Sequence, residues 1–244
     1  MTMEDASMNM AIDEAICRLN AEGKSPNTLR FYRWKPAAVS IGCFQRVEQE
    51  VDLELARRCG IDVVRRITGG GAVFHDHDGE LTYAAACGQG DVPDDIIESY
   101  GVICGGLVDG FKRLGLRAEF KPVNDVLVNG KKISGSAQTR RWDSVLQHGT
   151  ILIDPNIRLM FELLKVSPEK ISDKFIASVY ERVTSINREM GRKLSFEEVR
   201  AAMSEGFASA LDVKLVEGEL THRELELANE LRSKLGSEEW LRRR

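Results

Sequence analysis

The chain has 244 residues, enough for one substantial core, and its 43% hydrophobic and 30% charged composition is that of an ordinary globular protein. A formal net charge of -4 argues against nucleic acid as the main partner, because that binding needs a basic face. No apolar run approaches the ~20 residues of a membrane helix, no signal peptide opens the chain, and the five scattered cysteines lack disulfide or zinc spacing, so a cytoplasmic location with reduced thiols is expected.

In chain order, apolar residues at helical spacing from Met8 to Leu19 predict an amphipathic helix capped by Ser7. Strands follow at 29–34 and 39–42, a short helix at 52–59, and strands at 62–66 and 81–87. A long helix spans about 94–114, then a strand near 117–121. The segment 125–138 alternates on both sides of Asn129-Gly130, the pattern of a hairpin with a type I′ turn, and another strand covers 146–154. Beyond residue 154 the chain turns helical. Ser195 with Glu198 and Thr221 with Glu224 fit capping boxes opening helices to about 210 and 235, and 213–216 is a candidate short strand. Strands that follow one another without helices predict an α+β fold, a mixed, mainly antiparallel sheet flanked by helices, in one domain over 1–244 with a helical subregion from about 155.

The stretch Arg65-Arg66-Ile67-Thr68-Gly69-Gly70-Gly71-Ala72-Val73-Phe74-His75 places fixed positive charge beside three glycines, a composition suited to an anion or to close backbone approach. On the outgoing hairpin strand, the period of two predicts Lys132, Ser134, Ser136 and Gln138 on one face and Ile133, Gly135 and Ala137 on the other. Other features read as bland. Gly23-Lys24-Ser25 lacks the earlier glycine and the strand of a P-loop. His75-Asp76-His77-Asp78 reads as a loop that is either solvated or supports a site from behind its contact residues, and not as a metal site. Cys87 and Cys104 read as buried small hydrophobes.

Taken together, Arg65 to Asp76, Asn124-Asp125, Lys132 to Ala137 and His148-Gly149 resemble the biotin and lipoate protein ligase superfamily, in its lipoate-protein ligase A and octanoyltransferase branch. The blocks Asn9 to Glu14, Leu29 to Tyr32, Ser40 to Gly42 and Ser237 to Trp240 extend the likeness over nearly the whole chain. The resemblance implies a pocket in which Arg65, Arg66, Thr68, Gly69, Gly70, Gly71, Ala72, Phe74, His75, Asn124, Asp125, Ser134, Gly135, Ser136, Ala137, His148 and Gly149 surround a lipoyl-adenylate, with Lys132 as the active-site lysine and the acyl tail along Phe74 and Tyr83. It implies a ligase that joins lipoate to AMP from ATP with Mg2+ near Asp125. The lipoyl group then passes to a lysine of a lipoyl carrier domain, of the 2-oxoacid dehydrogenase E2 or glycine cleavage H protein type.

Three departures from the resemblance bear on this expectation. The opening strand before the first helix is expected to be missing. The accessory C-terminal domain of single-chain ligases is absent, which points to a separate accessory subunit. The cysteine that octanoyltransferases of the branch place ahead of the lysine hairpin or after His148 is missing, which favours the ligase over octanoyl transfer without ATP. A non-catalytic lipoate-binding or carrier-docking module is the third reading.

Overall fold

In the computed structural model, which describes residues 1–165 and 181–243, the central sheet begins earlier than the sequence suggests. Strand β1 (Thr2–Glu4) pairs in parallel with β2 (Thr28–Trp34), so the expected loss of an opening strand is corrected. Three residues suffice to form it. Asp5, not Ser7, then caps α1 (Ala6–Ala21), its carboxylate accepting from the Met8 N–H.

The sheet continues through β6 (Glu80–Gly88), β10 (Ser144–Leu152), β9 (Lys131–Arg141), β8 (Asp125–Val128) and β7 (Ala118–Lys121), with order β1-β2-β6-β10-β9-β8-β7 and all pairs but the first antiparallel. A three-stranded sheet, β4-β3-β5, lies apart: β3 (Ala38–Ile41) runs parallel to β4 (Asp62–Arg65) and antiparallel to β5 (Val73–His75). The α+β reading therefore holds.

Both faces of the large sheet are covered, which explains why β6 is apolar almost throughout. Leu81, Tyr83 and Ala85 enter a core with Leu107 and Phe111 of α4 (Ile96–Arg113) and Met203 and Phe207 of α7 (Phe196–Ala210). Ala84 and Ala86 face Ile12 and Ile16 of α1 and Leu231 of α8 (His222–Leu235). Both predicted capping boxes form, Ser195 with Glu198 and Thr221 with Glu224. The short strand expected at 213–216 is instead exposed chain with no pairing partner among the described residues, since its apolar residues meet no covering face.

The remaining helices are short: α2 (Val47–Glu50), α3 (Leu53–Arg58), α5 (Ile157–Leu163), α6 (Ile186–Met190) and α9 (Glu238–Leu241). Leu163 of α5 closes the small sheet's core with Val39, Ile41 and Phe74. Phe207 is fully buried, its ring 5.4 Å from that of Tyr83 and 6.2 Å from that of Phe31. Phe207→Ala should cost about 3–5 kcal/mol. Urea unfolding checks this as a lower midpoint at unchanged slope; an unchanged midpoint would contradict the packing.

Candidate active site

The hairpin turn is of the expected kind, with Asn129 at φ 51° and Gly130 at φ 73°. The outgoing strand is not regular. Leu127 pairs with Lys132 while the adjacent Val126 pairs with Ser134, so Ile133 is the extra residue of a β-bulge. One added residue reverses the alternation. Lys132 therefore leaves the face of Ser134, Ser136 and Gln138 and joins that of Gly135 and Ala137, correcting the single polar face predicted by a strict period of two. Ser136 and Gln138 point toward α4: Ser136 Oγ meets Tyr83 Oη at 2.8 Å and lies 3.7 Å from Cys104 Sγ, and Gln138 Oε1 accepts from Ser99 Oγ at 3.0 Å.

On the other face, Lys132 Nζ lies 2.6 Å from Asp125 Oδ1. A methyl at residue 135 would sit 2.7 Å from Lys132 Nζ, so the glycine gives the ammonium its seat. Asn124 holds the strand through its Nδ2, which donates to the Ser136 carbonyl at 2.6 Å. The Asp125 carboxylate is thus committed to Lys132. Among the described residues no group of three or more His, Cys, Asp or Glu side chains is arranged to hold a metal.

The two arginines are buried, and neither presents a free fork. Arg65, 1% exposed, donates to the Gly42 and Cys43 carbonyls and to the Trp240 and Leu241 carbonyls at the end of α9, while Trp240 Nε1 donates back to the Arg65 carbonyl. It ties the C-terminal helix to β4 and lies off the cavity, correcting its expected place beside the ligand. Arg66 uses all its N–H directions: Nε to Thr68 Oγ1, Nη1 to the Ser40 carbonyl and Oγ, and Nη2 to the Gly69 and Gly71 carbonyls. Its guanidinium therefore shapes the glycine loop, and Arg66 also lines the cavity beside it. Burial pulls Arg66 down to about 10, which leaves it charged at neutral pH. Among the described residues no carboxylate pairs with it directly. Gly70 at φ 89° completes the bend, and its carbonyl lies where a Cβ on Gly42 would be, 2.1 Å away.

Between loop and strand lies a cavity of about 380 Å³. Its wall includes Gly70, Gly71, Ala72 and Phe74 of the loop and β5, Lys132, Gly135, Ser136 and Ala137 of β9, and His75, Asn124, His148 and Gly149. Met10, Tyr32, Trp34, Leu152, Ile157 and Met160 make the interior predominantly apolar. Of the residues expected around the ligand, Arg65, Thr68, Gly69, Asp125 and Ser134 do not line it. Tyr83 also misses it, because its ring points into the opposite core.

His75 is a buried core residue and not part of a solvated loop: its ring stacks on Trp34 at 4.0 Å and its Nδ1 lies 2.8 Å from Glu80 Oε2. Cys104 is sealed behind Ser136 and Gln147, and burial pushes its thiol up to about 11. Cys43 lies at the base of the loop, off the cavity wall, its N–H donating to the Thr68 carbonyl.

Sequence reasoning missed Asp13, Arg30, Ser40 and Glu80, all buried around this cavity. Asp13 Oδ1 accepts from Arg30 Nη1 at 2.9 Å, and its Oδ2 accepts from Tyr32 Oη at 2.8 Å. The available signal was Asn9 and Asp13, polar and four apart on a helix face that is otherwise core.

An apolar cavity that reaches Lys132, walled by a glycine loop beside a buried cation, is the candidate site. The family profile of the lipoyl protein ligase A/B catalytic domain matches residues 5–208, and the chain belongs to that family. Octanoyltransferase LipM of Brevibacillus brevis is 40% identical over 264 aligned residues, covering 98% of this chain and 95% of its own. Octanoyltransferase LipM of Kyrpidia tusciae is 38% identical, covering 96% and 94%.

Among solved structures, the bi-partite lipoate protein ligase of Thermoplasma acidophilum, studied with its E2 lipoyl domain, superposes with a TM-score of 0.87 at 35% identity, covering 98% and 94%. A lipoate-protein ligase A bound with ATP gives 0.85 at 32%, covering 99% and 96%. The octanoyltransferase relatives overturn the expectation of an ATP-dependent ligase. The glycine loop and the lysine strand stand in a chain similar both to proteins named octanoyltransferase and to lipoate-protein ligases, so they do not discriminate between the two.

Burial holds the His148 imidazole below its ordinary value despite the neighbouring Asp13 carboxylate. The folded state therefore binds fewer protons there than the unfolded state, and stability should fall as pH drops through about 6.5 toward the lower folded value. Melting temperatures at pH 7.5, 6.5 and 5.5 check this. The acid loss should shrink in His148→Asn, and an equal loss in both proteins would contradict it.

Proposed function

We propose that the chain is an octanoyltransferase, which moves an octanoyl group from a carrier-protein thioester to the Nζ of a lysine on a lipoyl carrier domain, without ATP. The observation that carries this reading is an enclosed apolar pocket that ends at Lys132, in a chain 34–40% identical along nearly its whole length to proteins named octanoyltransferase. The Thermoplasma protein's association with an E2 lipoyl domain supports the choice of acceptor.

In this reading the acyl tail lies along Trp34, Phe74, Ile157 and Met160, and its carbonyl faces Lys132. The acceptor amine attacks the carbonyl carbon. The C–N bond forms as the C–S bond breaks, the electron pair leaves on sulfur, and the amine proton passes to the thiolate, yielding an amide and a free thiol. Charge builds on the carbonyl oxygen during attack. Lys132, fixed by Asp125, and the buried charge of Arg66 beside the loop are placed to stabilise it. With Cys104 sealed and Cys43 off the wall, the acyl group passes directly to the acceptor and not through a protein thiol. Phe44, 90% exposed beside Gly69, offers the docking carrier an apolar contact at the rim.

Purified chain, octanoyl-loaded carrier and apo lipoyl domain, mixed without ATP, should add the mass of one octanoyl group to the lipoyl domain. Lys132→Ala should slow this by about 10²–10³, the loss expected for one preorganised donor. Gly135→Ala, which displaces the ammonium without opening the core, should cost roughly 10². Cys43→Ser and Cys104→Ser should keep most of the activity. Labelling that requires ATP and free acid, or that vanishes in a cysteine variant, would contradict the proposal.

A further inference from the structure

Two imidazoles, each backed by a buried carboxylate, reach the guanidinium of Arg66 through one hydroxyl apiece. On one side His148 Nδ1 lies 3.1 Å from Asp13 Oδ2, and its Nε2 lies 2.8 Å from Thr68 Oγ1. On the other, His75 Nδ1 lies 2.8 Å from Glu80 Oε2, and its Nε2 lies 2.8 Å from Ser40 Oγ. Both hydroxyls also receive an N–H from Arg66, Thr68 Oγ1 from Nε at 3.0 Å and Ser40 Oγ from Nη1 at 3.1 Å. All six side chains around Arg66 are buried, with Thr68 at 0% exposure.

The proton inventory of these groups has one consistent solution. An arginine only donates, so each hydroxyl must accept from it. The hydroxyl's own hydrogen is then directed at the imidazole, whose Nε2 must present a lone pair. The remaining ring proton sits on Nδ1, where an ionised carboxylate accepts it. Both histidines are thereby neutral and of the same tautomer. The opposite tautomer, or an imidazolium, would place Nε2–H on the hydroxyl's second lone pair and leave that hydroxyl's hydrogen without an acceptor among the described residues.

We propose that His148 and His75 are positioning residues: they fix the Thr68 and Ser40 hydroxyls as acceptors, these hydroxyls fix Arg66, and Arg66 fixes the Gly69 and Gly71 carbonyls of the loop that walls the acyl site. The relay gives a physical role to blocks that stand far apart in sequence. Asp13 comes from α1, Arg30, which steadies Asp13, from β2, Ser40 from β3, Glu80 from β6 and His148 from β10. His75 itself comes from β5, so loop shape and the placement of the buried cation are set by six elements rather than by the glycines alone.

The first test needs no substrate and so stands apart from the octanoyl-transfer reading. With four histidines in the chain, long-range ¹⁵N–¹H correlation spectra at pH 7.5, assigned with His75→Gln and His148→Gln, resolve each ring nitrogen. His75 and His148 should both show a protonated Nδ1 and an unprotonated Nε2; either the reverse tautomer or an imidazolium at that pH overturns the proposal. The second test separates relay from bulk. Thr68→Val keeps the shape and loses the hydroxyl, while Thr68→Ser keeps the hydroxyl. The valine variant should speed amide exchange over residues 69–72 and lower kcat for octanoyl transfer roughly tenfold, as for one lost buried hydrogen bond, and the serine variant should restore both. Wild-type exchange in Thr68→Val, or failure of Thr68→Ser to restore it, would refute the relay even if the transfer assay itself finds no activity.

Discussion

A buried guanidinium that pairs with no carboxylate among the described residues is the constraint around which this protein is organised. Placing a charge in an interior costs several kcal/mol unless fixed dipoles replace the lost water. For Arg66 those dipoles are three carbonyls and two hydroxyls, drawn from β3 and from the loop that follows β4. Because no negative side chain among the described residues pairs with it, the charge remains available to the cavity as a field. That suits a site in which negative charge appears only during reaction. Arg65 does the parallel structural task one residue earlier, joining the loop's root to the C-terminal helix through carbonyls alone.

The opposite wall is governed by a single extra residue. Were β9 regular, Lys132 would share the face of Ser134 and Ser136, which enters the core under α4. The bulge at Ile133 instead sends Ile133 into that core and turns Lys132 toward Asp125 and the cavity. Gly135 and Gly149 then allow the strands to meet: a Cβ on Gly149 would lie 2.6 Å from the Gly135 carbonyl. Positive charge therefore reaches the cavity from both walls, from Lys132 and from Arg66.

Much of this was legible in the sequence, for reasons that can be named. Local signals decided the hairpin turn at Asn129-Gly130, the capping boxes at Ser195 and Thr221 and the mainly antiparallel sheet, because each depends on residues close together in the chain. The bulge was invisible, since the alternation 131–138 looks unbroken and register is set by the partner strand. The role of the arginines was misjudged because composition shows a guanidinium's charge but not where its donors go. Strand β1 escaped notice at three residues, too short for any periodicity. Asp13 and Glu80 were hidden because a buried carboxylate in an apolar run carries meaning only once its partner, far away in sequence, is known.

The central claim is that the reacting carbonyl is held between the glycine loop and Lys132, with the chain of the acyl group in the apolar cavity behind. A crystal structure of the protein with a non-hydrolysable octanoyl thioester analogue tests this most directly. The account predicts the analogue's carbonyl oxygen within hydrogen-bond reach of Lys132 Nζ and its tail against Trp34, Phe74 and Met160. An acyl tail bound elsewhere, such as the cleft lined by Thr184, Asn187 and Lys193, or a carbonyl turned away from Lys132, would contradict it.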